Sequence, residues 1–170
     1  MLSTSKVTAD TAFQAGSTVY YSKVGEANVV EMMRLRKGVI GGEGNGGVIY
    51  PSFHAGRDSL IAAALELSCL ATEGRNLGEL VETFPVYYTI KGKSKLLDGF
   101  ADKLEKLVRQ APQLLGSSKI DRQDGVRFDL EDGWVQIRSS NTEPIYRVIA
   151  ESNNRKRAQQ LYSVVTRFLK

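Results

Sequence analysis

Arg138, Ser139, Ser140, Asn141, Thr142 and Glu143 are consecutive polar residues, closed by Pro144 and followed by Arg147. Together they offer a guanidinium fork, several hydroxyls and an amide. Such a donor-rich set suits a compact polyanion such as phosphate. The planar guanidinium of Arg138 can hold two oxygens of one phosphate, and successive backbone N–H groups in a tight turn add an anion nest. The runs on either side, Gly133 to Ile137 and Ile145 to Ala150, are rich in β-branched residues and read as paired strands. A hairpin returns Arg147 to Arg138, so that two guanidiniums face one anion. The same residues also make an ordinary solvated turn, since Ser and Asn are common turn formers.

A second segment, Gly41-Gly42-Glu43-Gly44-Asn45-Gly46-Gly47, has five glycines in seven residues. It lies between Val39-Ile40 and Val48-Ile49-Tyr50, both of which read as strands. Glycine at this density lets a backbone approach a ligand closely. Glu43 and Asn45 are the loop's only side chains. A carboxylate that accepts and an amide that both accepts and donates suit sugar hydroxyls. A flexible turn with nothing bound is the alternative. No Lys-Ser/Thr follows the glycines, and the Gly-x-Gly-x-x-Gly spacing of a dinucleotide loop is missing.

The first segment, Arg138-x-Ser140-Asn141-Thr142-Glu143-Pro144 with Arg147 in the next strand, resembles the phosphate-binding loop in the last domain of the α-D-phosphohexomutases. That family includes phosphoglucomutase, phosphomannomutase and phosphoglucosamine mutase. Gly42-Glu43 with Asn45-Gly46-Gly47 resembles the sugar-specificity loop of the third domain, whose common form is Gly-Glu-x-Ser-Gly-His. The resemblance implies Glu43 as a contact to substrate hydroxyls, Asn45 in place of the serine, and no histidine contact at Gly47. This variant is similar to a branch of archaeal-type and some bacterial phosphoglucosamine or phosphomannose mutases. Lys23-Val24-Gly25-Glu26 is a weaker third match that implies Lys23 beside the substrate; read by itself, Lys23 is a solvated lysine before a helix.

The parent so implied is an isomerase that interconverts hexose 1-phosphate and hexose 6-phosphate. It works by intramolecular phosphoryl transfer, through a phosphoserine and a bisphosphate intermediate. Arg138, Ser139, Ser140, Asn141, Thr142 and Arg147 would hold the phosphate, and Glu43, Asn45 and Lys23 the sugar. The family's serine loop and its Mg²⁺-binding aspartate loop are missing from these 170 residues, whose only histidine is His54. The expectation is therefore a C-terminal part of the enzyme: 1–84 as a partial domain three, 85–170 as domain four. No catalytic or metal-binding residue is expected in it, Mg²⁺ belongs to the full-length parent, and the chain alone should be inactive. The expected partners are a hexose phosphate and the N-terminal domains of the same polypeptide. A truncated sheet exposes an unpaired edge, which invites dimerisation. A non-catalytic module that binds phosphate or sugar phosphate remains the alternative function.

Composition bounds these readings. Hydrophobic residues make up 42% and charged residues 25% of the chain, values of a globular protein. The net charge of +4 mildly favours anionic ligands but is too small and dispersed for nucleic acid. The apolar runs are too short for a membrane span, and no signal-peptide pattern opens the chain. The single Cys69 cannot form an internal disulfide and fits a cytoplasmic location; its apolar helical surroundings predict a buried thiol.

Periodicity and punctuation predict helices over 6–15, 26–37, 58–72 and 76–83, a strand over 18–21, and strands at 39–40 and 48–50. Leu60, Ala64, Leu67 and Leu70 share one stripe of the third helix; Asp58 can cap it with Arg57 a surface arginine, the alternative being Arg57-Asp58 as a functional pair. After Phe84-Pro85 the pattern becomes strand 86–90, helix 96–111, strands at 126–130, 134–137 and 145–150, and helix 155–168. In the helix at 96–111, Leu97, Phe100, Leu104, Leu107 and Val108 form the apolar face. Trp134, Tyr87, Tyr88 and Tyr146 are expected in the core or on the sheet. The fold class is thus α/β and α+β: a partial layered α/β domain, then a small antiparallel sheet with helices on one face, TBP-like by the resemblance.

Overall fold

Capping residues set most boundaries in the first half of the chain. Ser5 caps α1 (Lys6–Gln14) by accepting from the Val7 N–H, and Gly16, at φ 70°, ends it with its N–H on the Phe13 carbonyl. α2 (Glu26–Arg36) stops at Lys37, whose φ of 52° is left-handed. β1 (Gly41–Gly42), β2 (Val48–Tyr50) and β3 (His54–Arg57) form an antiparallel sheet in that order. Asp58 caps α3 (Ser59–Glu73) by accepting from the N–H groups of Leu60 and Ile61. Asn76 and Glu79 cap α4 (Leu77–Val81) reciprocally. The computed structural model describes residues 1–140 and 142–170, in two units, Met1–Val86 and Tyr87–Lys170.

Several expectations for the first unit are corrected. Thr18 to Tyr21 is irregular chain rather than a strand; β-prone residues form a strand only where a ladder receives them. Val39 and Ile40 are exposed and precede the sheet, whose pairing starts at Gly41 opposite Ile49. β3 was not foreseen, because His54-Ala55-Gly56-Arg57 lacks β-branched residues. The α3 stripe packs against little: Leu60 and Leu67 are 81% and 66% exposed, and the Cys69 thiol is exposed rather than buried. The core of this unit is Val29, Met33 and Ile49.

The second unit holds β4 (Tyr88–Lys95), α5 (Phe100–Leu114), β5 (Lys119–Asp121), β6 (Val126–Leu130), β7 (Gly133–Ser139), β8 (Ile145–Ser152) and α6 (Arg155–Leu169). The antiparallel order is β4-β8-β7-β6-β5, and β5 is a strand the sequence did not announce. Alternation places Phe128, Val135 and Ala150 in one cross-strand row and Val126, Ile137 and Val148 in the next. α5 and α6 cover this face with Leu107, Ala111, Leu161, Val165 and Leu169. Tyr162 of α6 stands directly over Gly92 of β4, where any Cβ would strike its hydroxyl.

α5 begins later than expected, at Phe100 after Gly99 (φ 73°), so Leu97 lies outside it and is half exposed. It also continues through Pro112. Proline there forfeits one backbone hydrogen bond, but burial of Ala111 and Leu115 holds the last turn on the sheet. Trp134 and Tyr146 are buried, while Tyr88 is exposed.

Candidate functional site

The β7–β8 ladder sets Arg138 directly opposite Arg147, and the β4–β8 ladder sets Lys93 opposite Arg147. Residues directly paired in antiparallel strands share a face, with Cβ atoms about 5 Å apart. The three cations therefore form one row across β7, β8 and β4, on the face away from α5 and α6. Ser139, one residue along, pairs with Tyr146 and projects to the helix-covered face, so the ladder does not join it to the arginines.

The connection between β7 and β8 is short and tied at both ends. The Ser140 N–H donates to the Ile145 carbonyl at 2.8 Å, and the Ile145 N–H to the Glu143 carbonyl at 2.8 Å. The Leu96 N–H donates to the Pro144 carbonyl at 2.9 Å, fixing the loop against the end of β4. Ser140 Oγ and Thr142 Oγ1 lie 3.5 Å apart, and the Thr142 N–H reaches Ser140 Oγ at 3.4 Å, which leaves both hydroxyls weakly engaged. Asn141, the remaining member of the expected set, lies outside the described residues.

The arginines have only loose acidic partners. Arg147 Nη2 is 3.1 Å from Glu143 Oε2, with both side chains nearly half exposed. A surface pair of that kind is worth about 0–1 kcal/mol, so a phosphate can displace it. Arg147 Nε is buried and, among the described residues, has no hydrogen-bond partner. A buried unsatisfied donor costs about 1–3 kcal/mol, which an incoming anion would recover. Arg138 Nη1 stands 3.7 Å from Asp124 Oδ2, and the Asp124 carbonyl accepts from Gln136 Nε2 at 3.0 Å. Gly125, at φ 70°, packs so closely on Ile137 and Arg138 that a Cβ would collide with their backbone.

A buried polar layer supports the row from the same sheet face. Arg127, 2% exposed, binds Asp129 at 2.7 Å and lies 4.1 Å over the Trp134 ring. The indole N–H donates to Glu151 at 2.8 Å, and Thr89 Oγ1 donates to the other Glu151 oxygen at 2.8 Å. These bonds tie β4, β6, β7 and β8 together and fix the strand positions that carry the cations.

The glycine loop is a separate construction. The Glu43 N–H donates to the Gly47 carbonyl at 2.9 Å, the Gly46 N–H to the Glu43 carbonyl at 3.0 Å, and the Gly47 N–H to Asn45 Oδ1 at 3.2 Å. Gly46 takes φ 94°, which a side chain would resist. The Glu43 side chain is only 7% exposed, and its Oε2 lies 3.1 Å from Arg57 Nη1. Arg57 in turn donates to Glu26 twice, from its backbone N–H to Oε1 and from Nε to Oε2, each at 2.8 Å. The backbone N–H and then the guanidinium of Arg57 hold the Glu26 carboxyl below its usual 4.5. Arg57 is thus no free surface arginine but the link between two carboxylates. A Cβ at Gly47, where the resemblance lacks its histidine, would collide with the Arg57 side chain.

Lys23 is exposed in the loop before α2, and among the described residues nothing ties its ammonium to the glycine loop. That loop borders a cavity of about 610 Å³ whose walls include Tyr20, Met33, Val39 and Ile40. Sequence reasoning missed two residues. Lys93 had a signal, the period-two lysines at 91, 93 and 95. Sequence pairs Arg57 only with its neighbour Asp58, and its link to Glu26 and Glu43 has no signal there. Among the described residues no three His, Cys, Asp or Glu gather in one place.

A short α/β unit followed by a helix-backed antiparallel sheet is a fold shared with solved phosphosugar-mutase structures. The Burkholderia thailandensis phosphoglucomutase/phosphomannomutase family protein matches with a TM-score of 0.78 over 96% of this chain and 34% of its own, at 24% identity. Family profiles assign residues 1–87 to the phosphoglucomutase/phosphomannomutase α/β/α domain III and residues 93–167 to the C-terminal domain of the same enzymes. The chain belongs to the phosphoglucomutase/phosphomannomutase family. It is 35% identical to a phosphoglucomutase/phosphomannomutase of Thermococcus kodakarensis, over 94% of this chain and 34% of that protein. It is 34% identical to a phosphoglucosamine mutase of Methanocaldococcus jannaschii, over 82% of this chain and 31% of that protein. The chain spans about a third of the length of these curated relatives.

Proposed function

We propose that this chain supplies the substrate-binding elements of a phosphohexomutase that interconverts hexose 1-phosphate and hexose 6-phosphate, with a lean towards glucosamine phosphate. The observation that carries the reading is the facing Arg138–Arg147 pair, weakly neutralised and with a buried donor left open at Arg147 Nε. In the second unit, Arg138, Ser140, Thr142 and Arg147, with Asn141 of the same motif, bind the phosphate that is not being transferred. Lys93 extends the positive row. In the first unit, Glu43 and Asn45 hold ring hydroxyls, Glu43 as acceptor and Asn45 through its amide donors.

Holding substrate in a fixed pose is the main task left to protein groups in phosphoryl transfer. The serine nucleophile and Mg²⁺ belong, in this reading, to other parts of the polypeptide, and this chain alone has no mutase activity. The free Cys69 supports a reducing, cytoplasmic setting, and no described helix is long and apolar enough to cross a membrane. β1 and β3, the short edge strands of the first unit, leave backbone groups open for self-association.

Two measurements test the proposal. Inorganic phosphate titrated into the 15N-labelled chain should shift amides of Ser139 to Arg147 at millimolar concentration; no shift there would remove the phosphate reading. Turnover of glucose 1-phosphate by the chain with added Mg²⁺, in a host lacking its own mutase, would refute the division of labour.

A further inference from the structure

We infer that Arg57 is a sugar-contacting specificity residue, forming with Glu43 one donor–acceptor pair that reads neighbouring hydroxyls of the sugar ring. This rests on the glycine loop being the hydroxyl-binding site. Glu26 grips Arg57 at two points, its backbone N–H and Nε, so the stem is fixed and the far end of the guanidinium is delivered to Glu43. Gly47 makes the delivery possible, because only a residue without a Cβ leaves room for the Arg57 stem.

The guanidinium has five donors in a planar fork. Nε donates to Glu26, Nη1 forms an ion pair with Glu43 Oε2 at 3.1 Å, and Nη2 has no partner among the described residues. Glu43 is engaged through Oε2, which leaves Oε1 as an acceptor beside those open donors. A carboxylate oxygen and a guanidinium N–H held side by side complement adjacent hydroxyls, one donating and one accepting. The rigidity of the fork makes the pair sensitive to hydroxyl orientation.

The experiment is an amide NMR titration of the full chain with glucose 6-phosphate and its single-hydroxyl epimers mannose 6-phosphate (C2) and galactose 6-phosphate (C4), read at Glu43 to Gly47. Inorganic phosphate, read at the β7–β8 hairpin, is the control. In the wild-type chain the three sugars should bind with different affinities. Arg57→Gln should weaken the preferred sugar about tenfold, the size of one lost charge-assisted hydrogen bond, and should level the three affinities. Phosphate binding at the hairpin should not change. Arg57→Lys keeps the charge without the fork, so it should restore affinity more than selectivity. Glu26→Gln loosens the stem but keeps the contact.

Equal losses in Arg57→Gln and Glu26→Gln with selectivity intact would reduce Arg57 to a staple and overturn the inference. Sugar-dependent shifts that Arg57→Gln leaves unchanged would overturn it while the hydroxyl-loop reading survives. No sugar-dependent shift in the wild-type loop would overturn both.

Discussion

The two units carry their candidate sites on very different foundations. In the second unit fourteen apolar residues, among those described, form one buried cluster under five strands and two helices. Its candidate cation row sits on paired positions of the β7–β8 and β4–β8 ladders, with a buried polar layer beside it. In the first unit the core is Val29, Met33 and Ile49, while Phe13, Leu35, Leu60 and Leu67 are each at least 66% exposed. Its glycine loop is shaped by glycine conformations and by the Glu26–Arg57–Glu43 chain rather than by a broad apolar core. The contrast teaches that the candidate anion site is set in advance by strand register, whereas the candidate sugar loop depends on a few polar bonds over a thin core.

Core truncation should break the two units to different depths. Leu161→Ala, at a fully buried position, should cost the second unit about 3 kcal/mol or more in urea unfolding. Leu60→Ala, at an 81% exposed position, should change stability by less than about 0.5 kcal/mol. Comparable losses would erase the difference. Ile49→Ala should cost about 2–4 kcal/mol; hydrogen exchange should then show protection lost across Met1–Val86 and kept across Tyr87–Lys170.

Smaller effects sharpen the comparison at the sites themselves. Arg147→Ala should weaken phosphate binding by about 2 kcal/mol, as expected for a charge-assisted hydrogen bond, and Arg138→Ala similarly. Lys93→Ala should cost about 0.5 kcal/mol and only at low salt, as for an exposed charge; an effect as large as that of Arg147 would make Lys93 a full ligand. The smallest expected signal is in the first unit. The Glu26 carboxyl is held below 4.5, so its interaction with Arg57 stabilises the fold above 4.5 and is lost as pH falls through the lowered value. Carboxyl NMR should place the Glu26 midpoint below 4.5, and Arg57→Ala should return it to 4.5.

The same difference governs what could be read from sequence. Alternation in Val126 to Leu130 and Ile145 to Ala150, with the Glu131-Asp132 turn between β6 and β7, encodes the second unit locally, and the Arg138–Arg147 pairing followed from a hairpin. Side-chain periodicity also separates Ser139 from Arg138, a consequence of strand geometry that motif reading overlooked. In the first unit, Thr18 to Tyr21 and the α3 stripe have the right residue types, but among the described residues no ladder receives the former and Leu60 and Leu67 stay exposed, so propensity and burial part company. Read from sequence, Arg57 pairs with its neighbour Asp58, because its actual partners Glu26 and Glu43 are distant along the chain.

Lys91, Lys93 and Lys95 have a second consequence. β4 is the outermost strand on its side of the five-stranded sheet, so its outer N–H and C=O groups could template another strand. Repeated positive charge along that border repels an identical strand approaching from a second molecule. The side chains proposed to draw in an anion thus also guard against fibrous, side-by-side growth. Polyvalent anions that neutralise them should bring the protein closer to aggregation even as they occupy its binding face.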